Sequence, residues 1–227
     1  HAPSVEEVRL WSRYPEAPFV AVSHAQARLL AGLRVAATIH HAVDLTHLTF
    51  RPTPDDYLLF LGRFTPGKGV LEAIEVVRRT GRRLLLAAAA TGYFRETVAP
   101  HIDGRQIVYA GEVDQAGKSA LLGGARALIY PVQQAESFGL VLTEAMTCGT
   151  PVAALDQGAV SELVDDGVTG HVDASLDALI ARLPDVEQLD RHAVRRRALE
   201  RFGGRLLYTS DAADRPPRVG RRGSATL

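Results

Sequence analysis

The sequence predicts an α/β protein whose main body is a doubly wound parallel sheet, preceded by part of a second unit of the same kind. Three observations carry this. Short, continuous apolar runs recur along the chain, helix-length patterns separate them, and several of the runs end in glycine-bearing loops. Strands of a parallel sheet read as unbroken apolar runs because helices cover both of its faces.

In chain order, residues 19–22, Phe-Val-Ala-Val, read as a buried strand, and Ser23 is placed to cap a short helix over residues 24–31. Residues 35–39 read as a second strand that ends in His40-His41-Ala42-Val43-Asp44, after which Pro52 and Pro54 mark a linker. For His40 and His41 both strand-end packing and a cleft contact stay open. From there strands are expected at residues 57–61, 84–90, 106–109, 125–132 and 151–155, with helices at 70–79, 93–100, 115–122 and 138–146. Residues 191–202 form a charged helical pattern, read as a solvated face.

The resulting division is 1–54 as a remnant unit with its hinge, 55–202 as the complete domain, and 203–227 as a tail of different character. Residues 206–214, Leu-Leu-Tyr-Thr-Ser-Asp-Ala-Ala-Asp, resemble the translation of a transposase-type sequencing adaptor. Residues 215–227 are rich in Arg, Gly and Pro without periodicity, so the tail is expected to be non-native and carries no fold argument. The chain begins at His1 inside what reads as a domain, so most of the first unit is expected to be missing.

At 227 residues the chain can bury one good α/β core plus a fragment of another. Its net charge is zero, which gives no support to nucleic-acid or anionic-membrane binding. Residues 203–227 hold five arginines and two aspartates, leaving 21 basic and 24 acidic side chains in residues 1–202, so the basic tail argues for no partner. The lone Cys148 excludes an internal disulfide, fits a reducing compartment, and reads as a small core residue. No apolar run reaches the roughly 18 residues of a membrane span, and no signal peptide is expected ahead of the fold.

The functional argument turns on residues 136–144, Glu-Ser-Phe-Gly-Leu-Val-Leu-Thr-Glu. They join the apolar run 125–132 to an apolar helix pattern. A strand-turn-helix junction gathers free backbone N–H groups at the positive end of a helix dipole, a place suited to phosphate, and Gly139 lets the backbone approach closely. Leu140, Val141, Leu142, Ala145 and Met146 make the helix apolar, so Glu144 is a carboxylate on a buried element, where it needs partners.

Gly62-Arg63-Phe64-Thr65-Pro66-Gly67-Lys68-Gly69 follows the strand at 57–61. Gly62, Gly67 and Lys68 fit the glycines and lysine of a P-loop, but Gly69 stands where a hydroxyl would hold Mg²⁺. Pro66 also removes a backbone donor. The strand at 84–90 ends in Thr91-Gly92 rather than in the Asp an NTPase needs. Arg63 and Lys68 are two cations able to make charge-assisted hydrogen bonds to phosphate; the plainer reading is a pair of solvated loop cations. Lys118 is read as part of structural helix scaffolding, and Glu162 as a cap or surface residue.

Glu136 and Glu144, eight residues apart around Phe138-Gly139-Leu140, resemble the paired-glutamate motif of family 4 glycosyltransferases, which have the GT-B fold of two Rossmann-like domains. The flanks are similar to the family as well: Ala145-Met146-Thr147-Cys148-Gly149-Thr150-Pro151-Val152, Gln157-Gly158-Ala159-Val160-Ser161-Glu162, and Glu162-Leu163-Val164-Asp165-Asp166-Gly167-Val168-Thr169-Gly170. From Arg34 to about Asp173 the chain most resembles the avilamycin-type branch, through His41, Val43-Asp44, residues 57–63, Gly111-Glu112-Val113-Asp114 and Gly117-Lys118. His41-Ala42 stand where the family usually has Asn-Gly.

The resemblance implies that residues 55–202 are the C-terminal donor-binding domain and residues 1–54 a remnant of the Rossmann-like acceptor-side domain. It implies a retaining transfer of a sugar from a nucleoside-diphosphate sugar to a hydroxyl acceptor whose identity is unknown. Arg63, Lys68 and Glu136 would be the catalytic set. Gly62, Gly111, Val113, Phe138, Gly139, Leu140 and Glu144 would bind the donor, with Gly111 to Val113 against the base and Glu144 on the ribose. Charge growing on the leaving diphosphate would meet Arg63, Lys68 and the backbone at Gly139 and Leu140, so no metal ion or other cofactor is expected. A cytoplasmic enzyme is expected, with membrane contact only through the missing first domain. Two alternatives stand beside this: another GT-B enzyme, a phosphorylase or nucleotide-sugar epimerase, or a non-catalytic nucleotide-binding module. The chain is expected to bind nucleotide without transferring sugar unaided.

Overall fold

The structure, a computed structural model, describes residues 5–203; the expected tail lies outside these residues except for Gly203. The first unit contains α1 (Val5–Trp11), β1 (Phe19–Ala21), α2 (His24–Leu29) and β2 (Val35–Thr38), with β1 and β2 paired in parallel. The domain that follows carries β3 (Leu58–Leu61), α3 (Val70–Thr80), β4 (Leu84–Ala87), β5 (Ile107–Gly111), α4 (Gln115–Gly124) and β6 (Ala127–Tyr130). It continues through α5 (Leu140–Thr147), β7 (Val152–Leu155), α6 (Val160–Leu163), β8 (Gly170–Asp173), α7 (Leu176–Glu187) and α8 (Arg191–Phe202).

The six strands of the domain form one parallel sheet in the order β5-β4-β3-β6-β7-β8. This is the doubly wound architecture expected from the apolar runs. Alternate residues of each strand feed opposite cores, as the period of two requires. Leu58, Phe60, Ala127, Ile129, Ala153 and Leu155 enter one core, while Leu59, Leu128, Tyr130, Val152 and Ala154 enter the other. The chain order reverses between β3 and β6, and the carboxyl ends of these two adjacent strands frame the crevice where sheets of this kind bind ligands.

Element bounds shift where short elements meet irregular chain. The strand expected at 84–90 stops at Ala87, and the helix expected at 93–100 is a π-helical turn at Phe94–Val98 followed by a 3₁₀ turn at Ala99–His101. Three elements had no counterpart in the sequence reading: α1, β8 and α7. β8, Gly-His-Val-Asp, has no apolar run, and its burial comes from pairing with β7. α7 contains Pro184, which interrupts an otherwise readable pattern behind the capping Ser175.

The reading of residues 191–202 as a solvated face is corrected. α8 packs on α5 and buries Arg191, Val194, Ala198 and Phe202. The Arg191 guanidinium donates to the carbonyls of Arg51 (2.8 Å), Ala125 (2.8 Å) and Gly123 (2.7 Å) and to the Thr150 hydroxyl (2.9 Å). Burial brings its pKa down to about 10. The linker is thereby held by the last helix. The Val43 amide donates to the Phe202 carbonyl at 3.0 Å, and Val43 forms an isolated bridge with Gly203. Among the described residues no helix is long and apolar enough to cross a membrane.

Candidate functional site

A cleft of about 570 Å³ opens at the carboxyl ends of β3 and β6. Its floor is built by two loops. The loop after β3 supplies Leu61, Gly62, Arg63 and Lys68; the turn after β6 supplies Glu136, Ser137 and Phe138, and α5 adds Gly139, Leu140, Val141 and Glu144 at its start and along its face. The two loops are joined by the Gln133 amide, which donates to the Gly67 carbonyl at 3.0 Å. Tyr130, Lys118 and, from the first unit, Val22, Gln26 and His41 complete the lining.

The turn has a backbone reason. Gly139 caps α5 at φ 95°, a left-handed conformation open to glycine, and a Cβ there would lie 3.0 Å from Leu142 Cδ1. The amides of a helix's first turn have no acceptor within the helix, and Leu140 and Val141 line the cleft at that end. Leu140 is 48% exposed, an apolar side chain left at the cleft mouth. Behind the turn, Gly158 at φ 69° packs on Glu136, whose backbone takes part in a bridge with it. A Cβ on Gly158 would sit 2.3 Å from the Glu136 carbonyl oxygen.

The charged groups are paired across the cleft. Lys68 Nζ donates to Glu136 Oε2 at 2.5 Å, and the Tyr130 hydroxyl donates to the same oxygen. The Ser137 amide reaches Glu136 Oε1 at 3.1 Å. Burial pushes the Glu136 carboxyl upward, but the hydrogen bonds from Lys68 and Tyr130 outweigh it and hold the pKa below the ordinary value. Burial, reinforced by the Glu136 carboxylate, pushes the Tyr130 phenol well above its usual range, so it stays a protonated donor. Lys118 Nζ donates to Glu144 Oε1 at 2.7 Å. Arg63 is exposed and, among the described residues, has no hydrogen-bond or ion-pair partner.

Of the site residues expected from sequence, Gly62, Arg63, Lys68, Glu136, Phe138, Gly139, Leu140 and Glu144 are brought together in this one cleft. Gly111 and Val113 are not. Gly111 ends the edge strand β5 and Val113 precedes the Asp114 cap of α4, so both lie outside the lining. The reading of Lys118 as scaffold is corrected, since it pairs with Glu144 inside the cleft. Within the apolar run 125–132 Tyr130 carries one local signal, its place as the last residue of a strand at the switch point. His41 does both things left open for it, lining the cleft and meeting the Phe138 ring edge-on at 4.9 Å. A smaller hollow of about 200 Å³ shares Lys118, Leu140 and Glu144 with the cleft and is closed by Asp44 and His47 of the linker.

The family described as "Glycosyl transferases group 1" matches residues 55–189, more than half of the chain. This chain belongs to the group 1 glycosyl transferases. It is 34% identical over 166 residues to the phosphatidyl-myo-inositol mannosyltransferase of Mycobacterium leprae, covering 65% of this chain and 44% of that protein. It is 31% identical over 200 residues to a glycogen synthase of Mycobacterium tuberculosis, covering 80% of this chain and 48% of that one. The chain therefore spans less than half the length of these relatives.

Among solved structures, the fold is similar to AviGT4, a glycosyltransferase involved in avilamycin A biosynthesis. The TM-score is 0.68 at 28% identity, over 81% of this chain and 58% of that one. HepE from Anabaena, solved in complex with UDP and glucose, aligns with a TM-score of 0.74 at 18% identity over 88% of this chain and 64% of that one, a likeness of fold. The GT-B resemblance drawn from the paired glutamates and their flanks is borne out.

Proposed function

We propose that this group 1 glycosyl transferase chain is the donor-binding part of a retaining, metal-independent hexosyltransferase of family 4 type, which moves a sugar from a nucleoside-diphosphate sugar to a hydroxyl acceptor. One observation carries the reading: a cation without a partner among the described residues, Arg63, a paired cation, Lys68, a helix N-terminus at Gly139 and two carboxylates, Glu136 and Glu144, all converge on one cleft at the switch point.

Breaking the sugar–phosphate bond leaves its electron pair on the diphosphate. Positive groups fixed in advance lower the barrier where that charge grows. Arg63, the Lys68 ammonium and the amides at the start of α5 are aimed at such an anion and can take the place a metal ion would fill. Glu144, held by Lys118, receives the ribose hydroxyls. Glu136, held by Lys68 and Tyr130, receives a hydroxyl of the donor sugar, and neither carboxylate has to act as nucleophile. Holding donor and acceptor together supplies the rest. The acceptor surface comes mainly from the first unit, of which the described residues carry two strands and two helices, so the chain binds nucleotide but transfers no sugar unaided. The single unpaired thiol fits a cytoplasmic place for the protein.

The test is a thermal shift of the chain against UDP, GDP, ADP and dTDP, with ATP and GTP beside them, each with and without Mg²⁺, because a ligand that binds the folded state alone raises apparent stability. Stabilisation by a diphosphate without metal, lost in Glu144→Ala, is the expected result. A shift only with Mg²⁺ and a nucleoside triphosphate would replace this reading with an NTP-binding loop. With a complete first domain restored, release of sugar phosphate would indicate a phosphorylase, an altered sugar on its nucleotide an epimerase, and binding without turnover a binding module.

A further inference from the structure

Glu162 lies outside the cleft, yet its carboxylate spans the two units. Its Oε2 accepts the His24 amide at 2.7 Å and its Oε1 accepts the Ala25 amide at 2.5 Å. These are the first two residues of α2, more than a hundred residues earlier in the chain. Ser23, the local cap of the same helix, accepts the Gln26 amide at 2.9 Å and donates its own hydroxyl to the Ser137 carbonyl at 2.6 Å. Ser137 lies in the turn that carries Glu136. The first unit is thus tied to the domain through the turn itself at Ser137 and through Glu162 on α6.

Glu162 is itself held from behind. Arg201 donates to the Glu162 carbonyl and, at 2.9 Å, to that of Leu163. Nitrogens of Arg28 and His40 each stand 3.8 Å from the carboxylate, whose side chain is 15% exposed. A shielded carboxylate that takes two backbone amides makes charge-assisted bonds, stronger than neutral ones. Val22 and Gln26 move with α2, because the Val22 amide donates to Gln26 Oε1 at 2.8 Å, and both line the cleft.

We propose that Glu162 is a positioning residue of the donor site: it seats the first unit on the domain and so holds Val22 and Gln26 in the cleft lining that also carries Arg63 and Lys68. The proposal rests on the donor-cleft reading above. A cleft with its whole lining in place binds its ligand with no further ordering. If the seat is cut, the apparent affinity falls by the fraction of molecules still closed.

The experiment compares the wild-type chain with Glu162→Ala and Glu162→Gln by amide hydrogen exchange at His24 and Ala25, by thermal midpoint, and by affinity for the diphosphate that stabilises the wild type. In Glu162→Ala the two amides are expected to exchange at least about tenfold faster and the diphosphate to bind about tenfold more weakly, through a residue that does not touch it. Glu162→Gln is expected to recover part of both effects, since its carboxamide oxygen can accept one of the two amides. Unchanged exchange in Glu162→Ala overturns the seat. Faster exchange with unchanged diphosphate affinity overturns the positioning role. Should Glu162→Ala not fold, Ser23→Ala carries the comparison from the other tie, with the same two effects expected and their joint absence overturning the proposal. If the wild type binds none of the four diphosphates, the donor reading fails, and the exchange comparison still decides whether Glu162 seats α2.

Discussion

The Lys68 ammonium lies 2.5 Å from a Glu136 carboxylate oxygen, with both side chains largely withdrawn from solvent at the mouth of β3 and β6. The cation that the family resemblance assigns to the donor diphosphate is therefore already neutralised by the carboxylate assigned to the donor sugar. A diphosphate entering the cleft has to compete with Glu136 for Lys68, and it also meets Glu136 as a like charge.

Glu136→Gln should accordingly tighten a free nucleoside diphosphate by roughly fivefold, the equivalent of about 1 kcal/mol for removing one nearby like charge. The matching diphosphate sugar should gain nothing, because the carboxylate that receives its hydroxyl is lost. Calorimetric titration of both ligands checks the ratio, and equal gains for the two would contradict the assignment of Glu136 to the sugar.

The same pair fixes a pH dependence. The folded-state pKa of Glu136 lies below its ordinary value of 4.5. As pH falls the unfolded chain takes up the proton first, so the stabilisation is fully present above that ordinary value and is lost as pH falls through the folded value. Urea melts between about pH 5 and pH 3 should therefore show a shallower loss of stability in Glu136→Gln than in the wild type.

Arg63 gives a prediction of the opposite kind. It is exposed and has no partner among the described residues, so Arg63→Ala should leave the thermal midpoint within about 1 °C while weakening diphosphate binding by about 10- to 100-fold. A matched loss of stability would show that the side chain serves the fold instead.

Arg191 is the reverse case, a buried cation whose guanidinium makes four hydrogen bonds to the linker and the core. Arg191→Met leaves three carbonyls and the Thr150 hydroxyl without their donor and should destabilise the chain by about 3 kcal/mol or more in urea melts.

Gly158→Ala should cost about 2 kcal/mol or more, since it combines a left-handed backbone with a Cβ 2.3 Å from the Glu136 carbonyl oxygen. It should also weaken diphosphate binding by displacing the Glu136 turn, whereas Gly167→Ala, left-handed but with open space around it, should affect stability alone.

Most of the candidate site was legible because its residues belong to two local motifs, each read at the end of an apolar run. Gly62, Arg63 and Lys68 follow β3, and Glu136 to Glu144 follow β6. Tyr130, Lys118, Val22 and Gln26 were not legible as a group. Their side chains come from three separated stretches, and nothing in local spacing states that these stretches meet. The placement of Gly111 and Val113 at the donor came from resemblance; Gly111 ends β5 at the edge of the sheet and Val113 lies in the connection after it, both outside the cleft lining.

By itself the sequence determined five of the six strands of the parallel sheet, the glycine-bearing junctions at their ends and the chemistry of the two motifs, because apolar periodicity and backbone freedom are properties of neighbouring residues. The tertiary structure alone decided the partners. It joined Lys68 to Glu136, Lys118 to Glu144 and Glu162 to the start of α2, and it buried Arg191 within a helix that reads as solvated. Ion pairs and caps between distant segments depend on strand order and packing, which bring together residues that no local pattern relates.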